Sequence, residues 1–245
     1  TVTHKVVNGG WNDNREESEV VKVLTLKKGG QNAEDGTADY TGPEAGQKPA
    51  AGYKTGGWDV ISPRTFRKAD DNHVYTYTYA KDSFKLTVRH EYEALDGTQT
   101  VDTIVNNVDT EFQTPLSYTT RMRENFVFAG VAVEGMTDTN TAQQIVEGTM
   151  PAQAVIITFH YQEDRIGNPE NPEKPDGIPD KYQITFTYQA AANGTVTGTT
   201  TEVMTIQDIT RDPATGTITA VGPVKAVSPT QPSVVTANEG YYFLN

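Results

Sequence analysis

Val74-Tyr-Thr-Tyr-Thr-Tyr79 alternates aromatic and small side chains over six residues. Successive side chains of a β-strand point to opposite faces, so the three tyrosines share one face, and Val74 and the two threonines share the other. The pattern predicts a strand that buries an aromatic face. A similar stretch, Val155-Ile-Ile-Thr-Phe-His-Tyr161, occurs 81 residues further along the chain.

Two other patterns occur three times each, and their first two copies are separated by roughly 80 residues, which is typical of tandem modules. The first is an apolar segment that runs into a glycine turn, and it occurs at Lys5–Trp11, Leu86–Gly97 and Ile184–Gly194. The second is a short aromatic and glycine signature, and it occurs at Gly52–Trp58, Asn125–Val131 and Gly240–Phe243.

The repeats predict a mainly β protein of three small modules. The predicted divisions are a first module at 1–81, a second at 82–163, a Pro-rich extended linker at 164–179 and a third module at 180–245. Alternation at Leu86–Tyr92 and at Tyr182–Tyr188 predicts half-buried strands in the second and third modules. The segment Thr37–Gly46 can hold at most one turn of helix, because glycines and Pro43 interrupt it.

The third module is expected to be incomplete and the least stable part of the chain. The sequence ends after Gly240–Asn245, whereas the first two modules continue into a closing strand. No initiator methionine and no signal peptide are present, which indicates a piece of a longer chain.

Composition limits how these modules are stabilised. Modules of about 75 residues bury little more than half of their unfolded surface, so their cores are thin. The chain has no Cys but has 12 Tyr, 8 Phe and 2 Trp. Aromatic side chains must therefore fill the cores without help from disulfides or thiolate-bound metals.

Charge and hydropathy exclude two classes of partner. The net charge is −12, and residues 82–163 carry 12 acidic and 4 basic side chains. Such a module repels phosphate backbones, so nucleic-acid binding is not expected. No apolar run approaches the roughly 18 residues that a membrane span needs.

Residues 84–161 resemble the MucBP-type (mucin-binding protein) repeats of Gram-positive surface proteins. The resemblance rests on the strand Leu86–Tyr92 with its Asp96-Gly97 turn, on Asn125-Phe-Val-Phe128, and on Gly148-Thr-Met-Pro-Ala-Gln-Ala-Val155. Residues 3–81 and 176–245 resemble related surface-repeat modules through Val6-Val-Asn-Gly-Gly-Trp11 and Asp176-Gly-Ile-Pro-Asp-Lys-Tyr-Gln183.

The resemblance implies small β-grasp-like modules, strung as an elongated rod between a secretion signal and a cell-wall anchor. It implies an adhesin or stalk on the bacterial cell surface, monomeric as this fragment. The implied partners are host mucin, another glycoprotein or the extracellular matrix. A purely structural spacer is the alternative, and an accessory region of a carbohydrate-active enzyme is a third.

Trp11 and Trp58 are the candidate ligand-binding residues. Both lie beside Gly-Gly pairs, where exposed indoles would form a platform for sugar rings. The competing interpretation places both indoles in the core of the first module. We favour core filling, because Tyr53 and Trp58 occupy the positions that Phe126 and Val131 hold in the second module.

The four histidines, His4, His73, His90 and His160, do not predict a metal site. If the first and last strands of the second module are neighbours, His90 could approach His160. Glu91, however, points away from His90 by alternation, so a third ligand is missing. We expect two solvated imidazoles on a sheet face.

Two other sites are considered and not favoured. Asp176-Gly-Ile-Pro-Asp180 is similar to an acidic calcium loop, but Lys174 and Pro172 occupy positions where oxygen ligands are needed. A Pro-Asp-Gly turn is the preferred interpretation. Lys5 and Asn72 could form a Lys–Asn cross-link, although no equivalent pair recurs in the other modules.

Catalytic patterns are missing from the sequence. There is no Gly-x-Ser-x-Gly, no His-Glu-x-x-His, no phosphate-binding Gly-Lys-Ser/Thr and no cysteine nucleophile. The pairs Glu16-Glu17 and Asp70-Asp71 lie in polar, turn-like stretches. The sequence therefore predicts neither an enzyme nor a cofactor.

Overall fold

The computed structural model describes residues 1–28, 36–60, 65–67, 72–137, 144–168, 171–230 and 234–242. The fold is mainly β, and its strands form several small separate sheets. In the described ranges there is no α-helix, and a 3-10 turn occurs at Asp180–Tyr182. Asp70-Asp71 lies outside the described residues.

The strands within residues 1–81 are β1 Val2–Val7, β2 Gly9–Trp11, β3 Glu19–Lys22, β4 Lys27–Lys28, β5 Gly36–Asp39, β6 Ala45–Pro49, β7 Tyr53–Trp58, β8 Thr65–Arg67 and β9 His73–Lys81. The following strands are β10 Ser83–Glu93, β11 Gln99–Glu111, β12 Pro115–Thr119, β13 Phe126–Glu134, β14 Ile145–Thr149, β15 Val155–Glu163, β16 Gly167–Asn168 and β17 Asn171–Pro175. The remaining strands are β18 Gln183–Thr187, β19 Gly194–Thr197, β20 Thr201–Thr205, β21 Ile209–Arg211, β22 Ile218–Val221 and β23 Val234–Ala237.

The chain divides into two compact units. The first unit contains residues 1–86, 108–115 and 149–155, and the second contains 87–107, 116–148 and 156–245. The division into three modules with boundaries at 81 and 163 stays a prediction.

Two four-stranded sheets have the same strand order. The first sheet is ordered β3-β1-β9-β7 and the second β11-β10-β15-β13, so both read 2-1-4-3 when their strands are numbered by sequence. In the first sheet, β1 pairs parallel with β9 and antiparallel with β3, and β7 pairs antiparallel with β9. In both sheets the first and last strands are neighbours, which agrees with the sequence repeats.

Aromatic side chains fill the core of the first unit. Tyr75, Tyr77 and Tyr79 of β9 are all buried, as their alternation predicts. They divide into two adjoining clusters, one built on Val6, Trp11, Tyr77 and Tyr79, and the other on Val2, Phe66 and Tyr75. Five of the seven buried residues of these clusters are aromatic, and the sequence has no cysteine to cross-link the strands.

One hydroxyl group connects three strands of the first unit. Tyr79 Oη donates to the Gly10 carbonyl at 2.6 Å and accepts from the amides of Gly46 and Lys48 at 3.0 and 3.1 Å. Gly9 lies against the same ring, since a Cβ there would come within 2.5 Å of Tyr79 Cδ2. The contact therefore fixes the pair β2–β6 against β9.

The second sheet buries the face that its alternation predicts. Val88, His90 and Tyr92 of β10 are buried, with Phe159 and Tyr161 of β15 opposite them. The His90 ring stacks on Phe159 at a centroid distance of 5.0 Å, and Tyr92 stacks on Tyr161 at 4.6 Å. The guanidinium of Arg123 lies 4.4 Å from the centre of the Tyr92 ring and covers its outer side.

Residues 164–179, predicted as an extended linker, do not run extended. Strands β16 and β17 pair antiparallel, with Asn168 opposite Asn171, so the chain reverses direction. Pro169 lies outside the described residues. Side-chain to backbone hydrogen bonds hold both ends of this segment, and they are described below.

The predicted burial of the third module's first strand is wrong. In β18, Gln183 is buried whereas Ile184 is 40% exposed, although alternation assigns the apolar face to Ile184. Strand β18 pairs with β20 in a two-stranded sheet. Phe186, on the same face as Ile184, is partly buried, so the apolar face of β18 is only partly covered.

Candidate ligand-binding cleft

Trp11 belongs to the core and not to a surface platform. It is 1% exposed, and its indole N–H donates to the Glu17 carbonyl at 2.8 Å. The indole ring is thus buried and its N–H has a hydrogen-bond acceptor, as is usual for a tryptophan in a protein core. The core-filling interpretation is confirmed for Trp11.

Trp58 is partly buried, and most of its contacts lie inside the first unit. Its ring centre lies 5.4 Å from those of His4 and Tyr77, both in edge-to-face geometry, and 6.3 Å from that of Trp11. One side of Trp58 lines a cleft of about 420 Å³ together with Asn12 and Gln47. Trp58 thus serves mainly as packing and offers at most an edge to a ligand.

The expected pair of solvated imidazoles on β10 and β15 is wrong. His90 is fully buried among aromatic rings, and its Nδ1 lies 2.9 Å from the Tyr161 hydroxyl. His160 follows the core residue Phe159, so alternation turns it to the other face, where its Nδ1 lies 3.4 Å from Glu91. The two histidines are therefore on opposite faces of one sheet.

His4 is the counterpart of His90 in the first unit. It lies on β1 opposite Tyr75 of β9 and stacks on that ring at 5.3 Å. Neither ring nitrogen has a hydrogen-bond partner among the described residues, and burial lowers the pKa of the imidazole. A buried histidine is thus a shared feature of the two sheets. Alternation places His90 on the same face as Val88 and Tyr92, and the expectation of a solvated imidazole failed because that face is the buried one.

The remaining candidates do not assemble as ligand sites. Asp176 and Asp180 accept hydrogen bonds from the amides of Ile178, Arg165 and Ile166, so the protein itself occupies their oxygens in a turn. Among the described residues, no group of three or more His, Asp or Glu side chains is arranged to hold a metal ion. Lys5 lies opposite Thr76 and pairs with Glu19, whereas Asn72 lies beyond the Val2–His73 end of the ladder. Lys5 and Asn72 are therefore too far apart for a cross-link.

An apolar cleft of about 550 Å³ lies in the second unit, and three tyrosines line it. Tyr241 and Tyr242 are 56% and 81% exposed, and the partly buried Tyr188 also lines the cleft. Small residues form the rest of the wall, namely Ala190, Ala191, Ala192, Gly194 and Ala237, with Val196, Val235, Gln189 and Asn193.

Strand pairing and one carboxylate hold this cleft in shape. Strands β19 and β23 pair antiparallel, which places Val196 opposite Val235. The Tyr188 hydroxyl donates to Glu202 Oε2 at 2.7 Å, and Glu202 also accepts from the amide of Thr230 at 2.9 Å. The hydrogen bond raises the pKa of Tyr188 and lowers that of Glu202, so the phenol stays protonated as a donor at neutral pH.

The lining determines the kind of ligand that the cleft can accept. Exposed aromatic rings offer flat apolar faces with a polar hydroxyl at the rim, and such rings are enriched at binding surfaces. No charged side chain lines the cleft among the described residues, and the amides of Gln189 and Asn193 can both donate and accept hydrogen bonds. The cleft thus suits a neutral ligand that has both flat apolar faces and hydroxyl or amide groups.

The sequence offered two tryptophans as candidate ligand-binding residues, favoured core filling for both, and did not single out the tyrosines that are exposed among the described residues. Tryptophans beside glycine pairs drew attention to Trp11 and Trp58, whereas the exposed rings are Tyr241 and Tyr242. The available signal was the third copy of the aromatic signature at Gly240–Phe243, of which Phe243 lies outside the described residues.

The chain was compared with protein families, with curated proteins and with solved structures. No protein family, no curated protein and no solved structure matches it. Within the residues that the structure describes, none of the helical segments has the length and apolar character to cross a bilayer.

Proposed function

We propose that this chain is part of a bacterial cell-surface adhesin, and that the tyrosine cleft is a contact site for host glycoprotein. The observation that carries the proposal is the exposure of Tyr241 and Tyr242 over an apolar cleft, whereas the other described Trp, Tyr and Phe side chains are buried or partly buried. Contiguous apolar surface on a soluble protein often marks an interaction site, and the two adjacent tyrosines extend the apolar wall of the cleft in this way.

The finer fold assignment belongs to the same proposal. The shared 2-1-4-3 strand order, with the first and last strands adjacent, supports tandem β-grasp-like modules. Three further statements are part of this proposal. Residues 84–161 form a MucBP-like module, residues 180–245 form a third module, and the modules are arranged as an elongated rod. Location outside the cell, attachment to the wall and the lack of enzymatic activity are parts of this proposal as well.

The proposed ligand is a neutral glycan of a mucin-type glycoprotein. Sugar rings present flat C–H faces that pack on tyrosine, and their hydroxyl groups can pair with Gln189 and Asn193. Sialylated or sulfated glycans are disfavoured, because the chain carries a net charge of −12 and the described lining offers no cation.

A glycan array and a mucin-binding assay test the proposal. The full 245-residue chain is compared with Tyr242→Ala and Tyr241→Ala. The control variant is Met122→Ala, which removes a fully exposed apolar side chain from a different loop. Loss of binding in the tyrosine variants only, with unchanged unfolding curves, is the expected result. Equal binding by all four proteins would exclude the cleft, and binding to sialylated glycans alone would exclude the neutral-ligand assignment.

A structural spacer is the second candidate function, and one contact favours it. Arg211 of β21 donates to the carbonyls of Phe128 and Gly177 at 2.6 and 2.9 Å, which ties successive segments of the second unit together. These hydrogen bonds fix the three segments relative to one another without any ligand. An absence of binding to every glycan and glycoprotein tested, together with a rod-like profile in small-angle X-ray scattering, would favour the spacer.

A further inference from the structure

Asp164 is a buried carboxylate at the end of β15. Its side chain is 0% exposed, and its Oδ2 accepts a hydrogen bond from the amide of Gly177 at 2.9 Å. Its own amide donates to the Asn125 carbonyl at 2.9 Å. The other carboxylate oxygen, Oδ1, is buried and has no hydrogen-bond partner among the described residues.

The contact joins the end of β15 to the loop Asp176–Gln183, which follows β17. From that loop, Asp180 Oδ1 accepts from the amides of Arg165 and Ile166 at 2.8 and 3.0 Å. These contacts fasten the chain that leaves the second sheet to the segment that begins the third predicted module.

The charged groups around Asp164 are mostly negative or already engaged. Asp176 and Asp180 lie near enough for their charges to act on it. The Arg211 guanidinium donates to the carbonyls of Phe128, Gly216 and Gly177, and no hydrogen bond joins it to Asp164 among the described contacts. Its charge still attracts the ionised Asp164 carboxylate, and burial is the larger influence on the pKa of both groups. On its own strand and turn, Glu163 and Arg165 pair with each other, and Lys181 of the facing loop pairs with Glu93.

Burial therefore opposes ionisation of this carboxyl. Burial is the largest cause that raises the pKa of Asp164 to about 6, and the negative charges of Asp176 and Asp180 act in the same direction. The hydrogen bonds from the backbone of Gly177 and Asp176 act against it, because they favour the ionised carboxylate, but burial outweighs them. A second buried acceptor without a partner, Gln183 Oε1, belongs to the same loop. A proton on Asp164 removes the buried charge and adds one O–H donor to a region with two unsatisfied acceptors.

We propose that Asp164 is a proton-dependent clasp, which holds the loop Asp176–Gln183 more tightly against the end of β15 in mild acid than above neutrality. In the released loop the carboxyl reverts to ordinary solvation, where a proton is bound only below about pH 4. Closing the clasp therefore takes up one proton between about pH 4 and pH 6. The proposal does not depend on adhesion, since it concerns the joint alone.

Hydrogen exchange of the Gly177 and Ile178 amides tests the clasp. After correction for intrinsic exchange rates, the wild-type chain is expected to show protection roughly tenfold higher at pH 5 than at pH 8, since one unit of a linked pKa corresponds to a factor of ten. Asp164→Asn mimics the protonated form and is expected to stay protected at both pH values. Asp96→Asn, in the exposed turn after β10, is the control and must keep the wild-type response.

Three results would overturn the proposal. The first is equal protection of the wild-type amides at both pH values, and the second is an unchanged pH response in Asp164→Asn. The third is millimolar calcium closing the wild-type loop at pH 8 as well as acid does, which would make the site a cation site. If Asp164→Asn does not fold, carbon-13 NMR of the wild-type carboxyl decides the question: a midpoint near 6 is expected, and a midpoint near 4 would refute the clasp.

Discussion

Replacing Tyr79 by phenylalanine removes one hydroxyl and three hydrogen bonds while it leaves the buried ring in place. The hydroxyl donates to Gly10 and accepts from the amides of Gly46 and Lys48. Phenylalanine fills almost the same volume, so no cavity term enters the comparison.

The expected loss follows from the partners that the hydroxyl leaves behind. A hydrogen bond contributes about 1 kcal/mol net, and a buried partner left without one costs about 1–3 kcal/mol. The amide of Gly46 is a buried partner, whereas Lys48 and Gly10 are only partly covered. We therefore expect Tyr79→Phe to lower the free energy of unfolding of the first unit by about 2–4 kcal/mol.

Urea unfolding followed by tryptophan fluorescence measures this loss selectively. Both tryptophans of the chain, Trp11 and Trp58, lie in the first unit, so the signal reports on that unit alone. With a denaturant slope of about 1–3 kcal/mol per molar, the midpoint should fall by about 1 M or more.

Tyr77→Phe is the matched control, because it deletes a hydroxyl from the same strand and the same core cluster. Tyr77 is 5% exposed, and none of the hydrogen bonds among the described residues involves its hydroxyl. Tyr77→Phe should lower the free energy of unfolding of the first unit by no more than about 0.5 kcal/mol. Equal losses in the two variants would refute the role assigned to the Tyr79 hydroxyl.

Three further predictions concern the same unit. Trp58→Ala should lower the free energy of unfolding of the first unit by about 3 kcal/mol, which is at the lower end of the range for core aromatics because Trp58 is only partly buried. An unchanged melting temperature would contradict its packing role. Gly42→Ala should destabilise the unit, since a Cβ there would lie 2.6 Å from the Nε2 of His4, whereas Gly57→Ala meets nothing within 4 Å and serves as the control in the same melt. Burial holds the pKa of His4 below 6.5, so the unfolded chain binds the proton first, and the stability of this unit should fall as the pH drops below 6.5; a His4→Leu variant with the same pH slope would refute this assignment.

The sequence determined the strands and the faces that they bury in the two large sheets. Alternation placed Tyr75, Tyr77 and Tyr79 on one buried face, and it did the same for Val88 and Tyr92. The repeat pointed to a common plan, and the two sheets share one strand order. These features depend on a local property, the two-residue period of a strand, so they can be recognised without knowledge of distant contacts.

Tertiary structure alone decided which faces are covered. Ile184 is exposed and Gln183 is buried, contrary to the alternation of β18, which among the described strands pairs with β20 alone. His90 is buried and His160 is not, since the aromatic core lies on one side of β15 only.

The same distinction explains the choice of candidate site. Trp11 and Tyr242 are both large aromatics within two residues of a glycine, and nothing in their immediate sequence distinguishes a buried ring from an exposed one. Trp11 is enclosed because β9 and the chain near Glu17 fold over it, whereas Tyr242 lies at the rim of a cleft. Strand periodicity fixes which side chains share a face, but burial requires a partner surface that residues far away in the chain must provide.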